Sequence, residues 1–520
     1  MRTEPNPLSP AKPAPAGKSA GRIRGFLALY SNNRLGHFLL VVAIIIGFFH
    51  GWLKNEIRHW IITFAFDIPL ILSLVVTIAR LPRMQTWFPD CRLGRALGSF
   101  VAISVIYLVL PFGVPMLVGL SALRAWIFAP IIFLLGYHIT NSIRQIEGYF
   151  WLLIILGAIT AVYGLFQTPE DIRHRMETDP EFAQRFFNTF YGNAKGEARL
   201  RVFSTFVSAA AFGGVMAYTI MFAVARFSVA GNSWKERILL LALALPMAYG
   251  IILSGSRTSL MMMASGLIYT SWYRRNVMTY LVVPAMIIAA FTFGQEKTGG
   301  DSMDRFLTLL DPSVIWGRIF IVLSPSMSSI MDYPLGGGVG RSGNGIPFVL
   351  VRMFAWFDFR GIDGEVGRLV VDMGLLGLII YAYLMLSGAS DAIRNMSKLR
   401  DTPLSVIGVP AGAMFLIALS IVFTGSPFLA IPSGPLFWFF LGALEKLTQE
   451  YRKLEAAAPG QARFSEMFVS FIQPPRQRLL FTPASEAGPQ RLEMPKPETA
   501  KSRFSNRPAS NSTKRFLYRR

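Results

Sequence analysis

The sequence has few cysteines, histidines and charged residues, and each shortage argues against a class of protein. Its single cysteine, Cys91, rules out an intrachain disulfide and a CxxC metal site. The five histidines show neither H-x-x-x-H nor H-x-H spacing, so we expect no zinc site. Only 16% of the 520 residues are charged, whereas about a quarter are charged in an ordinary soluble domain. A soluble zinc enzyme is therefore not expected.

Hydrophobic residues, in contrast, are abundant and grouped in long runs. They make up 52% of the chain, and Phe alone occurs 42 times. A membrane-spanning helix needs about 20 mostly apolar residues. The sequence therefore predicts an all-α polytopic membrane protein with about twelve transmembrane helices, at residues 36–53, 59–79, 98–118, 122–140, 148–167, 203–226, 237–254, 257–272, 277–294, 367–387, 405–424 and 430–446.

Lysine and arginine set the predicted orientation, because cytoplasmic loops carry an excess of both. This pattern places both termini in the cytoplasm. Segment 1–35 is rich in Pro and Ala and lacks the apolar core of a signal peptide, and the basic tail 447–520 is rich in Pro and Ser. We predict both to be disordered. Between them lies a transmembrane catalytic domain, 36–446, with external loops at 168–202 and 295–366.

The formal net charge of +21 raises the question of nucleic-acid binding. A large share of the positive charges lies in the C-terminal tail and in short loops between apolar runs, and no nucleic-acid recognition motif contains them. Basic segments next to a membrane attract anionic lipids. We therefore expect membrane lipids, and not nucleic acid, as partners.

Several arginines lie where apolar runs meet the predicted outer face. Arg199 and Arg201 precede one span, Arg257 lies in the short turn between two spans, and Arg318 lies in an apolar part of the large loop. An arginine at an apolar boundary is costly unless it is paired or binds a ligand. One alternative is that Arg257 reaches a lipid phosphate at the interface. Several such arginines on one face favour an anionic ligand, because guanidinium binds phosphate oxygens in a bidentate manner.

Carboxylates at the start of the tenth predicted span have complementary chemistry. Asp363 or Glu365, near a desolvated boundary, is a candidate base that accepts a proton from a hydroxyl nucleophile. The alternative is that Asp363 caps a helix and Glu365 pairs with Arg368 one turn later. Asp372 is interpreted as a partner in helix packing or of an arginine, and the intramembrane Asp67 is left without a role.

The external loops contain no D-x-D metal motif, since DSMD is one residue too long. Arginines, and not a divalent cation, are therefore expected to offset the charge of the leaving group. Read from the residues alone, arginines hold a phosphate-bearing lipid and a carboxylate activates an acceptor hydroxyl. No cofactor is required.

These stretches resemble, in order and spacing, the bacterial superfamily of O-antigen ligases and polymerases of the Wzy and WaaL type. The similarity covers about residues 199–385 and rests on RVFSTF, LSGSRTSLMMMASGL, GRIFIVLSPSMSSIMDYPLGGGVG and DGEVGRLVVDMGLLGLIIYAYL. The resemblance implies a glycosyltransferase-C-like scaffold in the bacterial inner membrane. It implies metal-independent, inverting transfer of glycans linked to undecaprenyl pyrophosphate, with Arg201, Arg257 and Arg318 as the arginines that bind the pyrophosphate. Arg257 would also act in catalysis, and other polysaccharide-assembly proteins are possible partners of the tail.

One departure from the family pattern affects the expected reaction. Ligases of this family typically carry a histidine eleven residues before the Gly of GLLG, and here that position, eleven before Gly374, is Asp363. The departure favours a polymerase that joins repeat units into a surface polysaccharide or exopolysaccharide. A ligase that transfers the glycan to lipid A-core is the main alternative. A flippase is a further alternative. It predicts an internal repeat and broken helices near the midplane, whereas we see no internal repeat and the polar motifs lie at one face.

A glycine run at 334–345 matches G-x-G-x-x-G through Gly338, Gly340 and Gly343. A dinucleotide site needs a strand before this motif, a helix after it and an acidic residue about twenty positions later. The run follows IMDYP in a predicted external loop, where cytosolic nucleotides are absent. We predict a loop hinge or a substrate-lining turn in which glycine lets the backbone approach the bundle closely.

Overall fold

The structure is a computed structural model of the whole chain. It describes residues 33–57, 59–81, 87–179, 182–183, 186, 189–192, 198–229, 232–274, 284–285, 288, 292, 311–362, 364–400, 402, 404–423 and 425–457. Nearly all of the predicted N-terminal segment, most of the predicted span 277–294 and the tail after Ala457 lie outside these residues.

The described part of the chain is mostly helical. One 3-10 turn, Trp60–Phe64, and a two-stranded antiparallel ribbon, β1 (Phe190–Gly192) with β2 (Ala198–Leu200), accompany the helices. The α-helices are α1 (Arg34–Glu56), α2 (Asp67–Ala79), α3 (Arg92–Val109), α4 (Met116–Ile139), α5 (Ile143–Leu165), α6 (Pro169–Thr178), α7 (Ala209–Phe227), α8 (Trp234–Leu253), α9 (Arg257–Arg274), α10 (Pro312–Asp332), α11 (Phe348–Met353), α12 (Glu365–Leu399), α13 (Ser405–Ser420) and α14 (Ser433–Ala457).

Eight helices within the described residues are long and apolar enough to cross a membrane. They are α1, the segment Ile61–Ala79, α3, α4, α5, α7, α8 and α12, and α13 is a shorter apolar helix. This finding agrees with the predicted all-α, multi-pass class. The predicted external loops also contain regular structure: α6 and the ribbon lie in 168–202, and α10 and α11 lie in 295–366.

Helix boundaries differ from the prediction where proline and glycine interrupt the apolar pattern. The predicted turn between spans 98–118 and 122–140 lies earlier in the structure, at residues 110–115, because Pro111, Gly113 and Pro115 cannot continue α3. Arg124, which lies near the start of the predicted span 122–140, is therefore well inside α4. At the other end of the chain, α14 extends to Ala457, beyond the predicted boundary at 446/447.

Glycine contacts bring the helices together closely. A side chain at Gly136 of α4 would lie 1.9 Å from the carbonyl oxygen of Phe439, and one at Gly442 of α14 would lie 2.1 Å from that of Phe133. Small residues at such crossings let helix backbones approach, which is how membrane helices gain packing energy. Helix α7 is the most enclosed of the eight apolar helices, with 78% of its apolar window buried.

Helix α12 is broken at Gly374, which has φ 62° and ψ −160°. Tyr381 donates a hydrogen bond to Glu365, sixteen residues earlier. In a straight helix sixteen residues span about 24 Å, too far for this contact. The segments before and after Gly374 are therefore bent toward each other, and the span predicted at 367–387 is not one straight helix, because Gly374 has a positive φ.

Candidate functional site

The ribbon β1–β2 delivers Arg201 to the end of α8. Phe190 pairs with Leu200, and the next amide, that of Arg201, donates to the carbonyl of Thr189 at 2.7 Å. The amide of Val202 then donates to the carbonyl of Leu253 at 3.1 Å. The guanidinium of Arg201 donates through Nε to the carbonyl of Ser254 at 3.2 Å. Arg201 is thus fixed on the turn that joins α8 to α9.

That turn consists of Ser254, Gly255 and Ser256, and Arg257 is the first residue of α9. Gly255 has φ 57°, which glycine adopts without strain. The buried hydroxyls of Ser256 and Ser259 are hydrogen-bonded at 2.8 Å, and the amide of Ser256 donates to Oγ of Ser254 at 3.2 Å. This serine network fixes the backbone where Arg257 begins its helix.

Two of the three predicted pyrophosphate arginines are therefore brought to one place. Arg201 and Arg257 flank the same turn, and both are partly exposed. Arg318 lies on α10 one turn before Val322, and a side chain at Gly364 would lie 2.6 Å from Val322. The side chain of Arg318 lies outside the described part of the structure, so its contact with the other two arginines stays a prediction.

Glu365 begins α12 and is fully enclosed, with 0% of its surface exposed. Tyr381 donates to its Oε1, and the amide of Phe428 donates to its Oε2 at 3.2 Å. Its own amide donates to the carbonyl of Gly425 at 3.1 Å. Glu365 therefore joins the two segments of α12 to residues 425–428. Glu365 and Arg368 interact electrostatically but form no direct ion pair in the described structure.

Asp363, the second predicted carboxylate, lies outside the described residues. The residue at the N-cap of α12 is Gly364, with φ 82°. The alternative in which Asp363 caps this helix therefore stays a prediction. Its predicted role as base stays a prediction.

Asp372 is also fully enclosed and is bound entirely by neutral donors. Its Oδ1 accepts from the amide of Ser342 at 2.8 Å. Its Oδ2 accepts from the Ser342 hydroxyl at 3.0 Å and from the indole N–H of Trp126 at 2.8 Å. The predicted packing role is observed, whereas the predicted alternative of an arginine partner is not. Asp372 holds α12, α4 and the glycine run together.

The glycine run fills the break in α12. The amide of Gly337 donates to the carbonyl of Val371 at 2.7 Å, and the amide of Leu375 donates to the carbonyl of Pro334 at 3.0 Å. A side chain at Gly374 would lie 2.4 Å from the amide nitrogen of Gly336. The helix break thus recovers its lost backbone hydrogen bonds from the run. The run follows a helix, α10, and not a strand, which argues against a dinucleotide site.

Arg368 is a polar residue of this region to which the sequence reading gave only a pairing role. Its Nε donates to the carbonyl of Ile362 at 3.0 Å, and its Nη1 donates to Asn344 Oδ1 at 3.2 Å and Ser426 Oγ at 3.5 Å. These partners are all neutral. Among the described residues, its charge interacts with that of Glu365 without a direct ion pair, so Arg368 is a further candidate for contact with an anion.

A membrane-embedded ion pair was also missed. Asp67 of α2 pairs with Arg124 of α4, and Arg124 Nη2 also donates to the carbonyl of Gly345 at 3.3 Å. The signal was available, because opposite charges in two neighbouring apolar segments pair with each other by default. The sequence analysis gives Arg124 no role, because it lies near the edge of the predicted span 122–140. Through Arg124, the pair also contacts the glycine run.

Within the described residues, no group of three or more His, Cys, Asp and Glu side chains is placed to hold a metal ion. No protein-family model matches the chain, and no curated protein sequence matches it.

Proposed function

We propose that the protein polymerises oligosaccharide repeat units linked to undecaprenyl pyrophosphate, by inverting, metal-independent glycosyl transfer on the periplasmic face. The observation that carries the proposal is the placement of Arg201 on the turn that directly precedes Arg257. Two partly exposed arginines at one turn suit a pyrophosphate, which presents several anionic oxygens close together. We assign Arg318 as the third arginine on the basis of the sequence resemblance.

In the proposed reaction, an acceptor hydroxyl attacks the anomeric carbon of the lipid-linked sugar. The new C–O bond forms as the bond to the pyrophosphate breaks, and the electron pair leaves with the lipid pyrophosphate. Arg201 and Arg257 stabilise the charge that develops on this leaving group. The hydroxyl proton passes to a carboxylate.

Asp363 and Glu365 have different roles in this proposal. Both oxygens of Glu365 already accept hydrogen bonds inside the protein, so Glu365 fits a positioning role that holds the start of α12. Asp363, two residues earlier and at the position of the ligase histidine, is then the base.

The proposal includes the setting that the sequence implies. The chain is a bacterial inner-membrane protein with about twelve spans on a glycosyltransferase-C-like scaffold and with both termini in the cytoplasm. Membrane lipids contact its basic tail, and other polysaccharide-assembly proteins are further partners of this tail. The orientation test is labelling of single cysteines placed in residues 168–202 and in the tail. Equal labelling of the loop cysteine and the tail cysteine from outside would contradict the proposed orientation.

The break in α12 is the one observation that favours a transporter, because discontinuous helices line the substrate path of many transporters. Here the backbone groups freed at the break bind Pro334 and Gly337. The break is therefore filled by the protein, and it supports an enzyme scaffold as well as a transporter.

The decisive assay gives purified protein only lipid-pyrophosphate-linked repeat units. A ladder of longer lipid-linked chains supports the polymerase. Transfer that requires added lipid A-core would instead make the protein a ligase that works without the usual histidine. No transfer in either case would contradict both enzyme functions and favour a flippase.

The roles of the carboxylates are tested by Asp363→Asn, Glu365→Gln and the double variant. We expect the double variant and Asp363→Asn to abolish ladder formation in folded protein. Glu365→Gln should lower thermal stability and retain measurable transfer. Full activity in the folded double variant would overturn the assignment of either carboxylate as base.

A further inference from the structure

A cavity of about 220 Å³ lies where the ends of α1 and α5 meet α6 and the segment before α7. Its inner wall contains the buried apolar side chains Ile172, Phe182 and Phe203. Its rim contains three exposed aromatic residues, Trp52, Tyr163 and Phe166. The cavity is smaller than the roughly 300–1,000 Å³ clefts that take drug-sized ligands. It therefore suits one small ring.

Polar side chains lie among these aromatic residues. Asn55, of which 8% is exposed, lines the cavity, and within the described part of the chain its side-chain amide forms no hydrogen bond. Asp171 also lines the cavity, and one of its oxygens, Oδ2, accepts from the Thr168 hydroxyl at 2.6 Å. An amide has two donors and one acceptor, and a carboxylate accepts several hydrogen bonds. The cavity thus offers donors and acceptors beside an apolar wall.

The wall of the cavity is held rigidly. The side chain of Gln167 accepts from the amide of Ser204 at 2.8 Å and donates to its carbonyl at 3.0 Å. Ser204 has φ 53°, a conformation that is strained for a non-glycine residue. The amide of Trp52 donates to the carbonyl of Thr205 at 2.9 Å, which fixes the end of α1 on this segment. A wall held in this way keeps its shape when a ligand enters.

The cavity adjoins the arginine turn. Phe203 and Ser204 line it, and Arg201, which binds the carbonyl of Ser254, is only two residues before Phe203. Two residues of extended chain cover about 7 Å. A sugar is joined directly to its pyrophosphate, so a pyrophosphate bound at Arg201 and Arg257 would place a sugar at about this distance.

We propose that this cavity binds one pyranose ring of the lipid-linked glycan, with Trp52 against the C–H face of the ring and with Asn55 and Asp171 bonded to its hydroxyls. The identity of the sugar as part of a lipid-linked glycan rests on the proposed function. The chemistry of recognition does not, because a sugar ring has an apolar face and a rim of hydroxyls that match the aromatic rim and the polar groups.

The test measures binding directly, apart from transfer. The probe is the free oligosaccharide released by mild acid from the repeat units of the transfer assay, and its binding to the detergent-purified full chain is followed by calorimetry. Trp52→Ala and Asn55→Leu should each raise the dissociation constant at least about tenfold. Trp52→Phe, which keeps an aromatic face, should stay within about threefold. The matched control is Trp234→Ala, which removes another exposed tryptophan, at the start of α8, and should leave binding unchanged.

Each of the other outcomes either overturns the sugar site or distinguishes it from the proposed polymerase function. Failure of the wild-type protein to bind the oligosaccharide, or equal binding by folded Trp52→Ala and Asn55→Leu, overturns the sugar site. Competition by undecaprenyl phosphate without sugar shows a lipid groove and also overturns it. Weakened binding in both variants together with no ladder from the wild type keeps the sugar site and rejects the polymerase. A ladder without oligosaccharide binding rejects the sugar site and supports the polymerase.

Discussion

Two groups of polar side chains in this protein are built in opposite ways. The enclosed cluster, Glu365, Asp372, Tyr381 and Trp126, has almost no exposed surface, and its members bind one another or nearby backbone and serine groups. The open rim consists of Arg201, Arg257, Asn55, Asp171 and Trp52. Its arginines and its tryptophan are partly exposed, and its asparagine amide faces a cavity.

The difference separates polar groups that hold the fold from polar groups that are available to a ligand. Burial of an unpaired polar group is costly, so the enclosed cluster is stable only because its donors and acceptors match. In the open rim, the Asn55 amide and the Asp171 carboxylate retain hydrogen-bonding capacity within the described structure, which is what a binding site requires. Some members of each group, Glu365 in one and Arg201 and Arg257 in the other, were candidates from the sequence, because they are charged residues at apolar boundaries.

The largest expected effect is at Gly374 of the enclosed region. We expect Gly374→Ala to lower the free energy of unfolding by at least about 3 kcal/mol, because the residue has φ 62° and its Cβ would lie 2.4 Å from the Gly336 nitrogen. The control is Gly148→Ala in α5, where no atom lies within 4 Å of the added methyl group. Alanine there should be neutral or add about 0.5–1 kcal/mol. Thermal unfolding in detergent measures both, and equal melting temperatures would contradict the tight contact.

The next effect is at Arg201 of the open rim. We expect Arg201→Ala to reduce the rate of repeat-unit transfer by about 10²–10³, the usual loss when one donor to a developing negative charge is removed. Its melting temperature should stay near that of the wild type. The neighbouring Arg199→Ala, on the ribbon, is the matched control and should stay within about threefold. Equal loss in both variants would mean that positive charge on the ribbon matters, and not the contact with the turn.

A smaller effect is expected at Asp372. Asp372→Asn should cost about 2 kcal/mol of stability, because it replaces an acceptor oxygen with a donor amide among the donors of Ser342 and Trp126. Ser342→Ala should cost about 1 kcal/mol, since the backbone hydrogen bond to Asp372 remains. Chemical denaturation of the two variants compares them. A loss of transfer without loss of stability in Asp372→Asn would move Asp372 from the enclosed cluster to the substrate site.

The last prediction involves no substitution and so the smallest change to the protein. The reactivity of the native Cys91 thiol reports on how well this buried part of the structure is packed. Burial raises the pKa of the Cys91 thiol to about 11 from an ordinary value of 9.0, so the reactive thiolate is about a hundred times rarer at neutral pH. Native protein should therefore react with iodoacetamide at least about 100-fold more slowly than unfolded protein, and the rate should rise about tenfold per pH unit below pH 11. Equal iodoacetamide reaction rates in native and unfolded protein would show that α3 is not packed as described. Faster labelling of Cys91 in Gly374→Ala would show that the loss of packing in this variant extends to the start of α3.

Much of the fold follows from the sequence, because apolar run length predicts membrane helices directly. Serine at the start of α5, α7 and α8 accepts from the first turn in each case, as the capping preference predicts. The break at Gly374 does not follow from the sequence. A lone glycine in an apolar run is compatible with a straight helix, and only the contact with residues 334–337 makes it a break.

The candidate site is predictable to a similar extent. The motifs place Arg201 and Arg257 near the same predicted face, and the structure bonds Arg201 to the carbonyl of Ser254, three residues before Arg257. The distinction between Glu365 as an enclosed residue and as a reactive one depends on Tyr381 and Phe428, which are distant in sequence. The cavity depends on side chains from four separate segments that share no short motif. The environment of Glu365 and the lining of the cavity are therefore known only from the packed structure.

The hydrogen bond from Trp126 to Asp372 joins residues 246 positions apart, and this separation has a consequence for biosynthesis. A ribosome adds about 5–20 residues per second, so the partner of Trp126 emerges roughly 12–50 s after α4 has entered the membrane. Arg124 has its counter-charge from the beginning, because Asp67 precedes it in the chain. The hydrogen-bond partner of Trp126 is made much later, so the packing of α4 stays incomplete until the last third of the protein is synthesised. Chains that end before Asp372 are therefore expected to be cleared by membrane proteases, including those that already contain all of α1 to α9.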